Sequence, residues 1–245
     1  MADISIIIRT LNERLQLFSL LGALKDQTMF DRAEIIVVDN ESTDGTVETA
    51  LEHGARVITI KRDEFSFPRS LNMGAEAAQG KFLIFTVGHA LPFRKDWLIS
   101  GLEHLSDPRV AGVYSPVIPH TGCSLAEKLF YWPNYLWAKF RGPHQVTHHR
   151  MGVFGATNIG LRKELWLEHP FDERYGLGGE HGEWAAWAIN EKGLCLMCDV
   201  RFSVRHSHGL GCLGMLRQIF YWSARLAKPM AFDRKRLSFR KDLKF

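Results

Sequence analysis

The chain predicts an α/β fold with a mostly parallel central sheet flanked by helices, and three observations carry that reading. Two apolar runs, Ile4-Ser-Ile-Ile-Ile8 and Glu34-Ile-Ile-Val-Val38, each end in a polar cluster. Between them Leu17, Leu20, Leu21 and Leu24 recur at helical spacing. The same alternation of apolar run and helix-like segment continues to residue 105. The polar clusters therefore fall at the carboxyl ends of strands, the edge at which open α/β sheets bind ligands.

The elements follow in order. Residues 4–8 read as a buried strand, 13–26 as a helix, 34–38 as the second strand and 44–53 as the second helix. Ser42-Thr43-Asp44-Gly45 forms a tight turn able to cap that helix. Val57–Ile60 is a short third strand. Phe67–Ala78 holds a helix that Gly80 ends, and Lys81–Val87 is a fourth strand. Gly88–Pro92 is the loop at its carboxyl end, Trp97–Leu105 is helical, and Val110–Pro116 opens the second half. Glu127–Phe140 is aromatic-rich and broken by Pro133, and a His-rich loop, Pro143–Arg150, follows. This stretch fits an amphipathic core helix plus loop, with a mobile flap or a surface-docking helix as the alternative. Residues 183–192 form a helix ended by Gly193, Leu194–Val204 is strand-like, 213–227 is helical, and a basic tail runs from Lys228 to Phe245.

Composition narrows the class. A length of 245 residues suits one domain with a large core. The chain is 46% hydrophobic with a mean hydropathy of −0.13, as a globular protein should be. A formal charge of +4 and a pI near 8.9 suit a diphosphate ligand or an anionic membrane surface, and are too weak for nucleic acid. No apolar run reaches the ~20 residues that span a bilayer, and the amino terminus shows no secretory leader. Four cysteines in a chain of this length read as reduced thiols, hence a cytoplasmic protein. Cys195-Leu-Met-Cys198 has zinc-knuckle spacing but lies in a strand-like run, where buried cysteines are ordinary core residues.

The motifs carry the function. Thr10-Leu-Asn-Glu13 and Val38-Asp-Asn-Glu-Ser-Thr-Asp-Gly-Thr46 occur in this order, about 25 residues apart. Asp39, at a strand end, can accept a hydrogen bond from the N3–H of uracil or thymine. The pattern resembles the nucleotide-sugar-binding start of the family 2 glycosyltransferases, which have the GT-A fold. Phe67-Pro-Arg-Ser-Leu-Asn-Met-Gly-Ala75 resembles the family segment whose Arg and Asn meet the donor. Phe154–Arg162, with Trp166 and Pro170–Glu173, resembles the block beneath the acceptor pocket. Gly179–Ala185 resembles the acidic segment that supplies the catalytic base, and His206-Ser-His208 the late histidine segment near the metal. Within the family the likeness is greatest to bacterial rhamnosyltransferase-type enzymes of surface polysaccharide synthesis.

That resemblance implies one glycosyltransferase domain over 1–245, with a nucleotide-sugar-binding half (1–116), an acceptor-binding half (117–227) and a basic tail (228–245). It implies donor contacts from Thr10, Asn12, Glu13, Asp39, Ser42, Arg69, Asn72 and His89, and acceptor contacts from Asn158 and Trp184. The activity implied is inverting transfer of a sugar from a nucleotide-diphosphate sugar to a hydroxyl of a glycan or lipid-linked glycan.

Two departures from the family pattern matter. Val87-Gly88-His89 stands where the family usually carries the D-x-D carboxylates that hold Mg²⁺ or Mn²⁺. His89 with His206 or His208 would favour Mn²⁺ over Mg²⁺, or the histidines would bind the diphosphate without metal. Glu180-His181 stands where Glu-Asp is expected, leaving Glu180, His181 and Glu183 as bases able to take the acceptor proton. Glu180 and His181 are favoured, since Glu183 also reads as a helix amino-terminal charge. A rival reading follows from the same departures: a catalytically inactive relative that binds nucleotide or a partner protein. A nucleotidyltransferase would need a Gly-rich phosphate loop near the amino terminus, which is not there. In the tail, Lys235, Arg236, Arg240, Lys241 and Lys244 interleave with Leu237, Phe239 and Leu243. That pattern fits peripheral contact with the inner face of the plasma membrane or a solvated tail.

Overall fold

A buried amino-terminal strand organises the sheet. The computed structural model describes residues 3–148 and 153–221. β1 (Ile4–Thr10) pairs in parallel with β2 (Ala33–Asp39) on one side and β4 (Phe82–Val87) on the other. β3 (Arg56–Thr59) continues the parallel set beyond β2. Beyond β4 the sheet turns mixed. β8 (Asn158–Arg162) is antiparallel to both β4 and β6 (Val110–Tyr114). β9 (Cys195–Cys198) runs parallel to β6, and β7 (His144–Val146) closes the edge antiparallel to β9. The order is β3-β2-β1-β4-β8-β6-β9-β7.

Strand alternation sends Ile4, Ile6 and Ile8 to one face and Ile7 to the other. The first face is covered by α1 (Arg14–Lys25), α2 (Thr46–Glu52) and α4 (Trp97–Leu105), with Trp97 stacked on Phe202. The second is covered by α3 (Phe67–Ala77), α6 (Lys163–Glu168) and α7 (Glu180–Asn190), around Phe85, Trp166, Phe171 and Trp184. Burial on both faces explains why the strands read as continuous apolar runs. A Cβ on Gly74 would lie 2.3 Å from Ile7 Cγ2, so α3 approaches β1 more closely than any side chain there allows. A two-stranded ribbon, β5 (Leu91–Pro92) with β10 (Val204–Arg205), ties the loop after β4 to the late histidine segment.

Six local expectations are corrected. α3 ends at Ala77 on an extended Ala78; Gly80 instead donates its N–H to Ser5 Oγ at 2.9 Å beside the β1 backbone. α7 begins at Glu180 rather than 183, because Gly179 caps it at φ 109°, so Glu180 and His181 sit in the first helical turn. Residues 194–204 are not one strand. β9 stops where Asp199 accepts the Arg201 N–H and starts a 3₁₀ turn over Val200–Phe202. α5 (Leu125–Arg141) runs unbroken through Pro133, which lies on its exposed side where a freed carbonyl meets water. α5 is not a core helix of the expected kind: it buries Glu127, Tyr131, Tyr135 and Ala138 and leaves its leucines outside. The segment after it is not all loop, since it contains β7. The helix expected over 213–227 is present over 212–221. Its remainder, the basic tail, His149 and Arg150 lie outside the described residues.

Asp199 fixes the turn that carries Phe202 into the core. Its buried carboxylate accepts from His104 Nε2 at 2.8 Å and from Arg201 Nε and Nη2 at 3.0 and 2.8 Å. Burial raises its pKa, but the hydrogen bonds from His104 and Arg201 outweigh this and bring the carboxyl down to about 2. A folded pKa below the ordinary 3.8 gives stability that is complete above that value and lost as pH falls toward 2. Asp199→Asn should therefore cost about 1.5–3 kcal/mol near neutral pH. In urea melts across the acid range, it should also lose the part of the wild-type decline that falls between 3.8 and 2. An acid limb identical to wild type would reject the assignment.

Candidate active site

The loops after β1 and β2 are knitted together at the carboxyl edge. Asn12 donates its N–H to Ser42 Oγ at 2.7 Å, and Thr43 donates its N–H to Asn12 Oδ1 at 2.8 Å. Glu13 N–H reaches Thr46 Oγ at 2.9 Å, and Arg14 N–H reaches Asp44. Asn12 and Glu41 adopt left-handed conformations, φ 53° and 56°, in these two loops. Such backbone is held only when surrounding bonds fix it, and it concentrates at binding sites. Asp39 ends β2 fully buried. One carboxylate oxygen accepts the Ser42 N–H at 2.9 Å, and the other, Oδ1, is buried with no protein partner. An unsatisfied buried carboxylate oxygen is costly, and a ligand donor at that point removes the cost.

The loop after β4 brings in the histidines. His89 Nδ1 is hydrogen-bonded to Glu13 Oε1, while Glu13 Oε2 accepts the Thr10 hydroxyl at 2.9 Å. His89 Nε2 faces His206 Nε2 at 2.9 Å, and the two rings stack 4.7 Å apart. With His208 they form a cluster whose ligand atoms all lie within 4.8 Å of one another. Burial, then the neighbouring His89 and His208, hold His206 well below the ordinary imidazole value, which keeps a lone pair available. Burial and His89 lower His208 as well, against the opposing pull of Glu127 and Glu13. Three imidazoles, one oriented from behind by a carboxylate, suit Mn²⁺ or a softer ion and not Mg²⁺, which requires oxygen donors. Gly88 makes the arrangement possible: a Cβ there would lie 2.3 Å from Glu13 Oε2 and 2.8 Å from Thr10 Oγ. Among the described residues the metal-competent group is this histidine cluster. Cys195 and Cys198 are buried in β9, and burial pushes the Cys198 thiol up to about 11.

The α7 amino terminus supplies the candidate bases. Glu180 is buried, with Oε1 3.4 Å from His181 Nδ1 and Oε2 without a protein partner. Burial raises its pKa, but His181 and the charge of Arg9 more than compensate, leaving it below the ordinary carboxyl value. His181 is partly exposed and able to meet an acceptor. Arg9 is the residue that motif reading missed. It lies 4.7 Å over the Phe67 ring, and burial lowers its pKa while Glu180 and Glu13 raise it. A lone cation inside the run Ile4–Thr10, otherwise buried, was the available signal.

Several expected site residues are committed elsewhere. Asn72 does not face a donor. Its amide donates to Phe171 O at 2.8 Å and Glu173 Oε1 at 3.3 Å, and its carbonyl accepts from Trp166 Nε1 and Phe171 N–H, both at 3.1 Å. Asn158 is likewise spent, donating to Phe202 O and accepting from Trp97 Nε1 at 3.2 Å. Trp184 is fully buried and stacks on Phe154, so it offers no acceptor surface. Glu183 faces His169 Nε2 at 3.0 and 3.1 Å, inside the protein. Arg69 is half exposed between Glu64 and Glu173. A pocket of about 590 Å³ opens beside the histidines, lined by Glu13, Gln16, His89, His120, Cys123 and His208 among others; Asp39 and Glu180 do not line it.

A sheet of this order with a polar site at the carboxyl edge is the GT-A architecture of glycosyltransferases. The sequence profile described as Glycosyl transferase family 2 matches residues 5–166, about two thirds of the chain, and the chain belongs to that family. Solved structures share the fold at low identity. The mannosyltransferase PcManGT from Pyrobaculum calidifontis, in complex with GDP-Man and Mn²⁺, aligns with a TM-score of 0.63 at 19% identity, over 83% of this chain and 56% of that one. Glucosyl-3-phosphoglycerate synthase from Mycobacterium tuberculosis, with Mn²⁺, UDP-Glc and glycerol 3-phosphate, gives 0.63 at 17% identity, over 94% and 79%. TarS from S. aureus gives 0.61 at 16% identity, over 83% and 59%. The chain thus spans little more than half the length of the first and last of these. No curated protein sequence matches it.

The four bonds of Asn72 set a structural role against a ligand-binding one. Asn72→Ala strands the buried Trp166 and Phe171 N–H groups, at about 1–3 kcal/mol each. The variant should lose about 2–4 kcal/mol in urea denaturation while its nucleotide affinity, measured calorimetrically below the melting range, stays near wild type. A stable variant with weakened nucleotide binding would return Asn72 to the donor site.

Proposed function

We propose that the protein transfers a sugar, with inversion, from a nucleotide-diphosphate sugar to a hydroxyl of a glycan or lipid-linked glycan, in surface polysaccharide synthesis at the cytoplasmic face of the membrane. Residues 1–116 take the donor and 117–227 the acceptor. The observation that carries this reading is the buried, unpartnered Oδ1 of Asp39 at the knitted edge, an acceptor of the kind a nucleotide base N–H requires. Thr10, Asn12, Glu13 and Ser42 hold the two loops in the shape that keeps that oxygen available.

In the reaction, the acceptor hydroxyl loses its proton to His181 as its oxygen attacks the anomeric carbon from the face opposite the diphosphate. The bond from that carbon to the diphosphate oxygen breaks. Glu180 accepts the Nδ1–H of His181 and so presents Nε2 as the base. A Mn²⁺ ion held by His89, His206 and His208 would neutralise charge on the leaving diphosphate. Without metal, the imidazole N–H groups donate to it directly. The inactive-relative reading draws on two departures: Val87-Gly88-His89 in place of the family carboxylates and His181 in place of the base Asp.

Asp39→Ala should weaken nucleoside diphosphate binding by about 1.5–3 kcal/mol in calorimetry while the protein stays folded; equal affinity would remove Asp39 from the site. His181→Ala should slow transfer by about 10²–10⁴-fold, with donor binding retained and activity partly restored by added imidazole. Wild type that binds nucleotide yet transfers no sugar from any donor would establish the inactive relative. Mn²⁺, and not Mg²⁺, should raise the melting temperature, and His89→Ala should abolish the rise. A Mg²⁺ shift equal to that of Mn²⁺ would exclude a histidine-built site.

A further inference from the structure

α5 is built inside out. Leu125, Leu129, Trp132, Leu136 and Phe140 recur at spacings of four, three, four and four, which places them on one face of the helix. That face points outward: Leu125 is 71% exposed, Leu129 69% and Phe140 92%. The inward face carries Glu127, Tyr131, Tyr135 and Ala138. Water disfavours such an arrangement, and an exposed apolar face of this extent marks an interaction surface.

Charge selects the partner. The only acidic residue of α5, Glu127, is buried, and its other charges, Lys128, Lys139 and Arg141, are positive. Arg141 also lies over the Trp137 ring at 5.0 Å. Residues 217–245 contain nine Lys and Arg against two Asp, a net +7 on a chain whose total is +4. The first 216 residues therefore sum to −3. An anionic surface attracts residues 217–245 and repels the net charge of the rest of the chain. The helix over 212–221 begins beside α5, since Ser124 Oγ donates to Leu210 O, and it too exposes Leu213, Leu216 and Phe220. Apolar stripe, aromatic residues and flanking cations together are the features of a helix lying in a lipid headgroup layer. Among the described residues no helix is long and apolar enough to cross a membrane, so the contact is with the surface.

We propose that the outward face of α5, with the adjoining 212–221 helix, docks the protein on an anionic lipid bilayer. The site is rigidly coupled to that face. Ser124 and Glu127 form the capping box of α5, and Glu127 Oε1 accepts the His208 N–H at 2.7 Å. Cys123, just before the helix, lines the 590 Å³ pocket beside the histidines. Docking holds that pocket next to the bilayer, where an acceptor carried on a lipid would present its hydroxyl. The docking itself does not depend on the sugar-transfer reading, and its test needs no turnover.

The experiment is flotation of the full chain with vesicles of phosphatidylcholine, alone or mixed with phosphatidylglycerol. Wild type should float with the mixed vesicles, less so at high salt, and poorly with phosphatidylcholine alone. A Leu129→Ser, Leu136→Ser, Phe140→Ser variant changes only exposed positions and should keep the wild-type melting curve. Its partitioning should fall by roughly tenfold or more. Lys139→Glu with Arg141→Glu should lower binding to the mixed vesicles alone. The proposal is overturned if wild type does not float, or if the folded triple variant floats as well as wild type. It is also overturned if wild type sediments as a dimer that the triple variant dissolves while neither binds vesicles, since a second copy then covers the stripe.

Discussion

The site hangs on the carboxylate of Glu13. One oxygen holds His89, the other takes the Thr10 hydroxyl, and the backbone N–H of the same residue reaches Thr46. Three consecutive parallel strands, β2, β1 and β4, are thereby joined at their carboxyl ends by a single side chain and its backbone. The joint needs Gly88, because any Cβ would occupy the space of that carboxylate. Val87-Gly88-His89 stands where the family usually carries carboxylates, and its histidine is held by Glu13. The carboxylate that orients the β4 loop comes from the β1 loop and stands behind His89.

The fold was legible in the sequence because its signals are local. Continuous apolar runs give strands buried on both faces, and leucines at helical spacing give the layer that covers them. The edge residues Thr10, Asn12, Asp39 and Ser42 were legible for the same reason, since strand ends and turn chemistry are written within a few residues. What failed was whatever depends on a distant partner. Asn72 meets Phe171 and Trp166 across more than ninety residues, and Asn158 meets Trp97 across sixty-one. No short window separates an Asn that binds a ligand from one that satisfies buried backbone. The orientation of α5 was hidden in a related way: periodicity reveals an apolar face but not whether that face turns in or out.

Buried charge links the two halves of the chain. Arg9 on β1 sits in the field of both Glu13 and Glu180, one from the loop after β1 and one from the start of α7. Glu180 keeps a carboxylate below the ordinary range despite burial because Arg9 and His181 stand beside it. A partly buried cation is costly without pairing, and here two anions from sequence-distant elements share the compensation. The start of α7 is therefore coupled electrostatically to β1 and its loop.

The ribbon of β5 and β10 is only two residues long on each side, yet it decides when the histidine cluster can exist. His89 and His206 lie 117 positions apart, and the strand pair that aligns their loops closes only once residue 205 is in place. Long-range closures of this kind come late in folding. During synthesis the parallel strands β1 to β4 can assemble as soon as they emerge, with the imidazole of His89 parked on Glu13 and no second ligand present. A metal site at this cluster would therefore form only once His206 and His208 have joined the loop that carries His89.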